Sequence, residues 1–177
     1  MPVIRATRDG ACAALSLLVL ACAGPSDPTE HLQVPTLERF ELVSGMLGAR
    51  CGSLDCHGQV GRSLRLYSRA GLRRDPAAFP NVDAGVVSET EVDDNYRAAI
   101  TLEPEVLALV VRDQGANPER LTLLRKARGA ENHKGGAAIA LGSPSDRCLL
   151  SWLSGQVEQA SCEAGALVVR PDAASAP

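Results

Sequence analysis

The sequence predicts a mainly α-helical protein with long loops, and three features support this fold class. Apolar residues recur at helical spacing after Thr36, a candidate N-cap, which predicts a first helix over residues 37–49. Later segments with the same periodicity predict four further helices, at residues 91–101, 105–113, 119–128 and 145–154. Glycine and proline interrupt residues 58–87, so this region is expected to be loop with one short extended segment at residues 64–67.

Individual residues mark where the later helices start and stop. Pro104, Pro118 and Pro144 stand at or next to predicted helix starts, where the missing N–H of proline costs no hydrogen bond. Gly155 follows the last of these helices and is a typical stop signal. Trp152 lies on the apolar face of that helix, so it is expected in the core.

The N-terminus has the features of a bacterial export signal. Arg5 and Arg8 precede an apolar run of 11 residues, Ala11 to Ala21, which is too short to span a bilayer. The Val-Leu-Ala that precedes Cys22 resembles the lipobox of bacterial lipoproteins, which implies cleavage after residue 21 and lipid on Cys22. Residues 1–21 are therefore predicted to be a lipoprotein signal peptide. An ordinary signal peptide with an incidental cysteine is the alternative.

The predicted mature chain divides into three parts. Residues 22–35 are polar and contain three prolines, so they are expected to form a flexible tether. Residues 36–162 have the length of one modest domain. Residues 163–177 become rich in alanine and proline and are predicted to be a disordered tail.

The charge of the chain argues against binding to nucleic acid. The formal net charge is −3, and removal of the signal takes away two arginines and one aspartate, which makes the chain more acidic. Arginines between residues 62 and 74 are interleaved with apolar residues and are interpreted as a solvated face. They are Arg62, Arg65, Arg69, Arg73 and Arg74.

Four cysteines remain once Cys12 is assigned to the signal and Cys22 to lipid. They are Cys51, Cys56, Cys148 and Cys162. An even number of cysteines outside the cell favours disulfides, and four cysteines allow three connectivities. A bridge between Cys148 and Cys162 would fasten the chain after the last predicted helix, with Cys162 in a loop, whatever the other two cysteines do.

The segment Cys51-Gly-Ser-Leu-Asp-Cys56-His57-Gly58 offers a second use for its two cysteines. Covalent haem attachment in c-type cytochromes needs two thiols for the vinyl groups and an adjacent histidine for the iron. Here four residues separate the cysteines, against the commoner two, so the loop between them has to bulge. A small Cys51–Cys56 disulfide is the alternative.

The flanking residues resemble the cytochrome c domains of planctomycete and myxobacterial surface proteins. The first half of the resemblance comprises Phe40, Val43, Leu47, the Cys-His-Gly motif and the Leu64-x-Leu66 pair. The second half comprises Arg120-Leu121, Leu124, His133-Lys134-Gly135-Gly136 and the segment from Asp146 to Gly155, which contains Trp-Leu-Ser-Gly. The resemblance implies a small cytochrome c-like helical domain. It also implies that Cys51 and Cys56 form thioethers to haem c and that His57 is the proximal iron ligand.

The resemblance further directs attention to the second iron ligand. Many such domains use a methionine from a glycine-rich loop, but the only methionine after the signal is Met46, on the first predicted helix. His133 lies in the corresponding loop, so an iron held by His57 and His133 is expected. An exposed loop histidine is the alternative for His133.

Together these features predict a membrane-tethered, extracytoplasmic c-type cytochrome-like protein that exchanges electrons with a redox protein partner. The expected location is a bacterial membrane, with the outer membrane favoured. The sequence contains no Gly-x-Ser-x-Gly, phosphate-binding loop or His-Glu-x-x-His motif, so no small-molecule substrate or enzymatic activity is predicted. The alternative is a haem-free, disulfide-stapled surface lipoprotein with a binding or structural role.

Overall fold

The structure is a computed structural model that describes residues 32–75 and 87–167, and these residues confirm the mainly α-helical fold class. The helices are α1 Phe40–Cys51, α2 Glu89–Ile100, α3 Pro104–Arg112, α4 Thr122–Ala127, α5 Pro144–Leu153 and α6 Gln159–Ala166. The predicted signal peptide, the predicted lipidation site Cys22 and most of the predicted tether and tail lie outside the described residues. Among the helices in the described ranges, none is long and apolar enough to cross a membrane.

Helix α1 begins later than the sequence predicts. Thr36 accepts a hydrogen bond from the backbone N–H of Glu38, but it does not cap the helix. Arg39 precedes α1 in the left-handed conformation, with φ at 60°, and the helix starts at Phe40. The predicted N-cap is therefore wrong, because Thr36 closes a local turn ahead of the helix.

A buried asparagine joins α2 to α1 and to the loop that follows α1. The Asn95 side chain accepts a hydrogen bond from the backbone N–H of Tyr67 and donates to the Tyr67 carbonyl. It also donates to the Ser44 hydroxyl on α1, at 2.9 Å. Since Asn95 is fully buried, these bonds offset the cost of removing its amide from water and fix the position of the loop.

A buried ion pair fastens the same loop at a second point. The side chain of Arg73 is 7% exposed and lies 3.1 Å from the Glu91 carboxylate, so the prediction of a solvated arginine is wrong at this position. Glu91 also accepts bonds from the backbone N–H groups of Arg74 and Ser88, and with Ser88 it forms the capping box of α2. Burial acts to raise the pKa of Glu91, but the bonds from Arg73, Arg74 and Ser88 outweigh it and lower this pKa.

The segment predicted as one helix over residues 119–128 is divided at Leu121, where ψ is 126°. A short 3-10 turn, Pro118–Arg120, precedes α4. Glu103 accepts bonds from the backbone N–H and hydroxyl of Thr122, at 2.6 and 2.7 Å, and so satisfies the start of α4. A carboxylate from a different helix region thus takes the place of a local cap.

Helix α6 is the main departure from the predicted secondary structure. Cys162 lies on α6, so its predicted placement in a loop is wrong, and α6 also includes residues 163–166, which the sequence assigns to the tail. The predicted disulfide between Cys148 and Cys162 is confirmed and joins α5 to α6. Arg50 of α1 donates to the Gly165 carbonyl at 2.8 Å, so tertiary bonds hold a helix with a weak sequence signal.

Aromatic side chains form the centre of the core where α1, α2 and α5 meet. Phe40 lies 5.2 Å from Tyr96 and 5.0 Å from Trp152, between ring centroids. Trp152 is 1% exposed, which confirms its predicted place in the core. The rings also bind the incoming chain, because Tyr96 donates to the Pro35 carbonyl at 2.7 Å and Trp152 donates to the Thr36 carbonyl at 3.0 Å. The last residue of the predicted tether is therefore part of the fold.

Candidate functional site

The loop with the two cysteines and the histidine folds back against the end of α1. Cys51 is the last residue of α1, and its carbonyl accepts a hydrogen bond from the backbone N–H of His57 at 3.0 Å. Gly58 also donates to the Ser53 carbonyl at 2.9 Å. A side chain at Gly58 would meet the carbonyl oxygens of Gly52 and Ser53, so the glycine of Cys-His-Gly is required for this close return.

The imidazole of His57 is oriented by a backbone carbonyl. Its Nδ1 lies 2.8 Å from the carbonyl oxygen of Leu64. Since a carbonyl can only accept, this contact places the proton on Nδ1 and leaves the lone pair of the neutral ring on Nε2. Burial lowers the pKa of His57, the bond to Leu64 opposes this, and the nearby charge of His133 lowers it further.

His133, the second ligand that the resemblance implies, lies next to His57 in the structure. The two ring centroids lie 5.8 Å apart, and the ring planes are inclined by 25°. Both side chains are half-buried, and His133 makes one weak contact of its own, from Nδ1 to the Gly136 carbonyl at 3.3 Å. His133 is therefore not a freely exposed loop residue.

The loop that carries His133 is fixed at its base. Arg128, just after α4, lies 2.7 Å from the carboxylate of Asp146 on α5, and the Asp146 side chain is 1% exposed. The backbone N–H of Ile139 donates to the Ala127 carbonyl at 2.9 Å. These bonds hold the two ends of the loop together, so the position of His133 is restrained from both sides.

Two adjoining clefts flank the pair of histidines. The larger has a volume of about 450 Å³ and is lined by both histidines, Cys51 and the apolar side chains of Leu64, Leu102 and Leu123. The smaller has a volume of about 230 Å³ and is lined by both histidines, Cys56 and Lys134. Each cleft thus contains one of the two cysteines, and the histidines lie where the clefts meet.

Both cysteines of the motif are free thiols. The Cys51–Cys56 disulfide of the alternative hypothesis is not formed. Cys51 is buried and Cys56 is half-buried. Burial is the main cause that raises the pKa of Cys51, to about 11, and the neighbouring Cys56 adds to it. The positive charge of Arg50 acts in the opposite direction. The Cys51 thiol is therefore protonated near neutral pH.

The donor set limits the kind of metal centre that this site could hold. Within residues 32–75 and 87–167, histidine, cysteine, aspartate and glutamate form no group of three or more that could bind a bare ion. His57 and His133 would suit a metal that brings further ligands of its own, such as the iron of haem. Met46 is fully buried in the core and lines neither cleft, which favours His133 as the second ligand.

Sequence reasoning missed several residues that line the larger cleft. Leu123, Lys126 and Ala127 lie on one face of α4, and Arg62 and Glu103 come from loops. The helical spacing of the α4 residues was a usable signal for a shared face. Nothing in the sequence indicated that this face of α4 would line the cleft beside the two histidines.

The fold and site define a small helical domain with two free thiols and two neighbouring imidazoles beside a cleft lined by leucine and charged side chains. No family model, curated protein or solved structure matches the chain. The interpretation of the site therefore depends on its own residues and geometry.

Proposed function

We propose that this chain is a lipid-tethered, extracytoplasmic c-type cytochrome-like protein that transfers electrons. The observation that carries the proposal is the pair His57 and His133, whose rings lie 5.8 Å apart at the junction of two clefts. The free thiols of Cys51 and Cys56, one in each cleft, complete the set of groups that haem c needs.

The roles of these residues follow from their surroundings. Cys51 and Cys56 would attach the haem, and His57 would present Nε2 to the iron because Leu64 holds its Nδ1. His133 would provide the second iron ligand. Leucine side chains of the larger cleft would exclude water from the bound group. Haem iron with two imidazole ligands exchanges single electrons and has no open position for a substrate.

The cellular location belongs to the same proposal. Lipid on Cys22 would hold the protein outside the cytoplasm on a bacterial membrane, with the outer membrane favoured, and a redox protein would be its partner. Replacing Cys22 with serine is expected to remove the acyl mass and release the protein from membrane fractions. Retention of the C22S variant in membranes would contradict the lipid anchor.

The decisive experiment is production of the chain together with a haem c maturation system. A pyridine haemochrome spectrum and an intact mass are expected to show one covalently bound haem, which the C51A/C56A variant loses. Colourless protein of unmodified mass would contradict the proposal. A Cys51–Cys56 disulfide in an unreduced peptide map would instead support the haem-free, disulfide-stapled alternative.

Variants at His133 test the axial ligand separately. His133→Ala is expected to keep the covalent haem but change the low-spin, two-imidazole spectrum to a high-spin one. His133→Met is expected to raise the reduction potential, since thioether sulfur favours ferrous iron. Asn132→Ala is the matched control next to it and should keep the wild-type spectrum. An unchanged spectrum in H133A would exclude His133 as a ligand.

A further inference from the structure

A third concavity lies outside the candidate haem site, between the loop after the Cys-His-Gly motif and α2. Its volume is about 470 Å³. The loop contributes Arg62, Ser63 and Arg65. Helix α2 contributes Asp94 and Arg97, and Thr101, its C-cap, continues the same face. We call this concavity the basic groove.

The three arginines of the basic groove have no carboxylate partner among the described residues. Arg62 donates to the side-chain oxygen of Gln59 at 3.2 Å, and the guanidinium of Arg65 lies 5.3 Å from the ring centroid of Tyr67. Arg97 is exposed and forms no ion pair within residues 32–75 and 87–167. The one acidic residue in the groove, Asp94, is held by Arg74 at 2.7 Å.

We propose that the basic groove binds an acidic segment of a partner protein. Guanidinium groups match carboxylates through paired hydrogen bonds, and the hydroxyls of Ser63 and Thr101 add neutral partners. Three positive side chains brought together on an acidic protein leave a local charge that an acidic ligand complements. The solvated face predicted for Arg62 and Arg65 is thus one wall of a binding surface.

The shape of the groove favours a polypeptide over a membrane surface. The groove is a recess between a loop and a helix, whereas a layer of lipid headgroups is flat. Asp94 lies within the recess, where it would repel a uniformly anionic layer but tolerate a segment in which acidic and neutral residues alternate.

The position of the groove gives the interaction a consequence for electron transfer. Arg62 lines the basic groove and both clefts at the histidines, so a bound partner would lie one side chain from the candidate haem site. This consequence rests on the proposed function, whereas the binding itself does not.

The test measures binding of a fluorescein-labelled peptide of alternating glutamate and serine residues to the full chain in neutral detergent, by fluorescence anisotropy at low salt. The R65Q/R97Q variant is expected to weaken binding about tenfold, and D94N is expected to strengthen it. The matched control is R112Q/R120Q, which removes the same charge from exposed positions outside the groove and should change binding less than about twofold.

Three outcomes would overturn the proposal. They are an equal loss in both double variants, unchanged peptide binding in R65Q/R97Q, and arginine-dependent binding to phosphatidylglycerol vesicles in place of the peptide. If R65Q/R97Q does not fold, the exposed single variant R97Q provides the same comparison and should weaken binding about threefold.

The experiment is run on protein with and without haem maturation. If peptide binding does not depend on Arg65 and Arg97 in either preparation, the proposal for the basic groove is contradicted and the proposed function is not. Retained peptide binding by a protein that takes up no haem contradicts the proposed function alone.

Discussion

The two sides of this domain are built differently. Where α1, α5 and α6 pack together, Phe40, Trp152 and the Cys148–Cys162 disulfide are almost completely buried. On the side of the loops that carry His57 and His133, both imidazoles are half-buried beside clefts of about 450 and 230 Å³. Apolar packing therefore stabilises one side and leaves the other with space for a ligand.

The side with the two clefts, called the open side below, consists of loops that are held by ion pairs and hydrogen bonds instead of by apolar packing. Glu91 fastens the loop after α1 through Arg73, and Asp146 fastens the His133 loop through Arg128. Within the described residues, no buried side-chain nitrogen or oxygen lacks a hydrogen-bond partner. The loops can thus be well placed around a cleft without filling it.

The largest expected effect comes from removing the centre of the packed side. Trp152→Ala should lower the free energy of unfolding by about 3–5 kcal/mol, because it deletes a buried ring and leaves a cavity. Urea unfolding followed by circular dichroism measures this change. Leu141, which is 75% exposed, supplies the control, and Leu141→Ala should leave stability almost unchanged. A loss below about 1 kcal/mol in W152A would show that the ring is not a main support of the core.

The disulfide should come next in size. The C148A/C162A variant is expected to lose about 3 kcal/mol, because the bridge closes a loop with a sequence separation of 14 residues. The same urea titration measures it, with reductant added to the wild type as the matched condition. Reductant should destabilise the wild type and leave the double variant unchanged. If reductant affects both proteins equally, the stabilisation does not come from this bridge.

On the open side, Glu91→Gln should lower stability by about 2 kcal/mol at pH 7, because hydrogen bonds to a charged group are lost. The pKa of Glu91 is lowered from 4.5 in the folded state, so its contribution is complete above that pH. The contribution is lost as pH falls through the folded-state value. Urea titrations from pH 7 down to pH 3 should therefore show the difference between E91Q and wild type becoming smaller. A difference that is constant over this range would exclude the ion pair as its source.

The smallest effect is expected at the candidate ligand itself. In haem-free protein, His133→Ala should change the free energy of unfolding by less than about 0.5 kcal/mol, because the side chain is half-buried and weakly bonded. Thermal unfolding of both proteins measures the difference. A large loss of stability in H133A would show that His133 supports the loop structurally, which would argue against a role in ligand binding.

Periodicity and proline positions predicted five of the helical segments, because those elements have strong local signals. Helix α6 was missed because its sequence, Gln-Ala-Ser-Cys-Glu-Ala-Gly-Ala, has small residues and little apolar periodicity. Gly165 explains how it forms: a Cβ there would lie 2.8 Å from the Cα of Ser145, so glycine permits close packing on α5. Such a helix depends on partners distant in the sequence.

The site was predicted better than the bonds that hold it. The spacing of Cys51, Cys56 and His57, together with the resemblance that singled out His133, pointed to residues that lie close together in the structure. The pair of Arg73 and Glu91 was missed, since its partners are 18 residues apart and each alone is typical of a surface. Long-range pairing of charges leaves no periodic pattern in a single sequence.

The bonds from Tyr96 and Trp152 to the carbonyls of Pro35 and Thr36 have a mechanical consequence. A pull applied to the chain before Pro35 would be carried by the backbone into α1 and, through these two rings, into α2 and α5. The disulfide from α5 to α6 extends that load path through the packed side. Three helices would therefore share tension on the N-terminal segment, and α1 would not carry it alone.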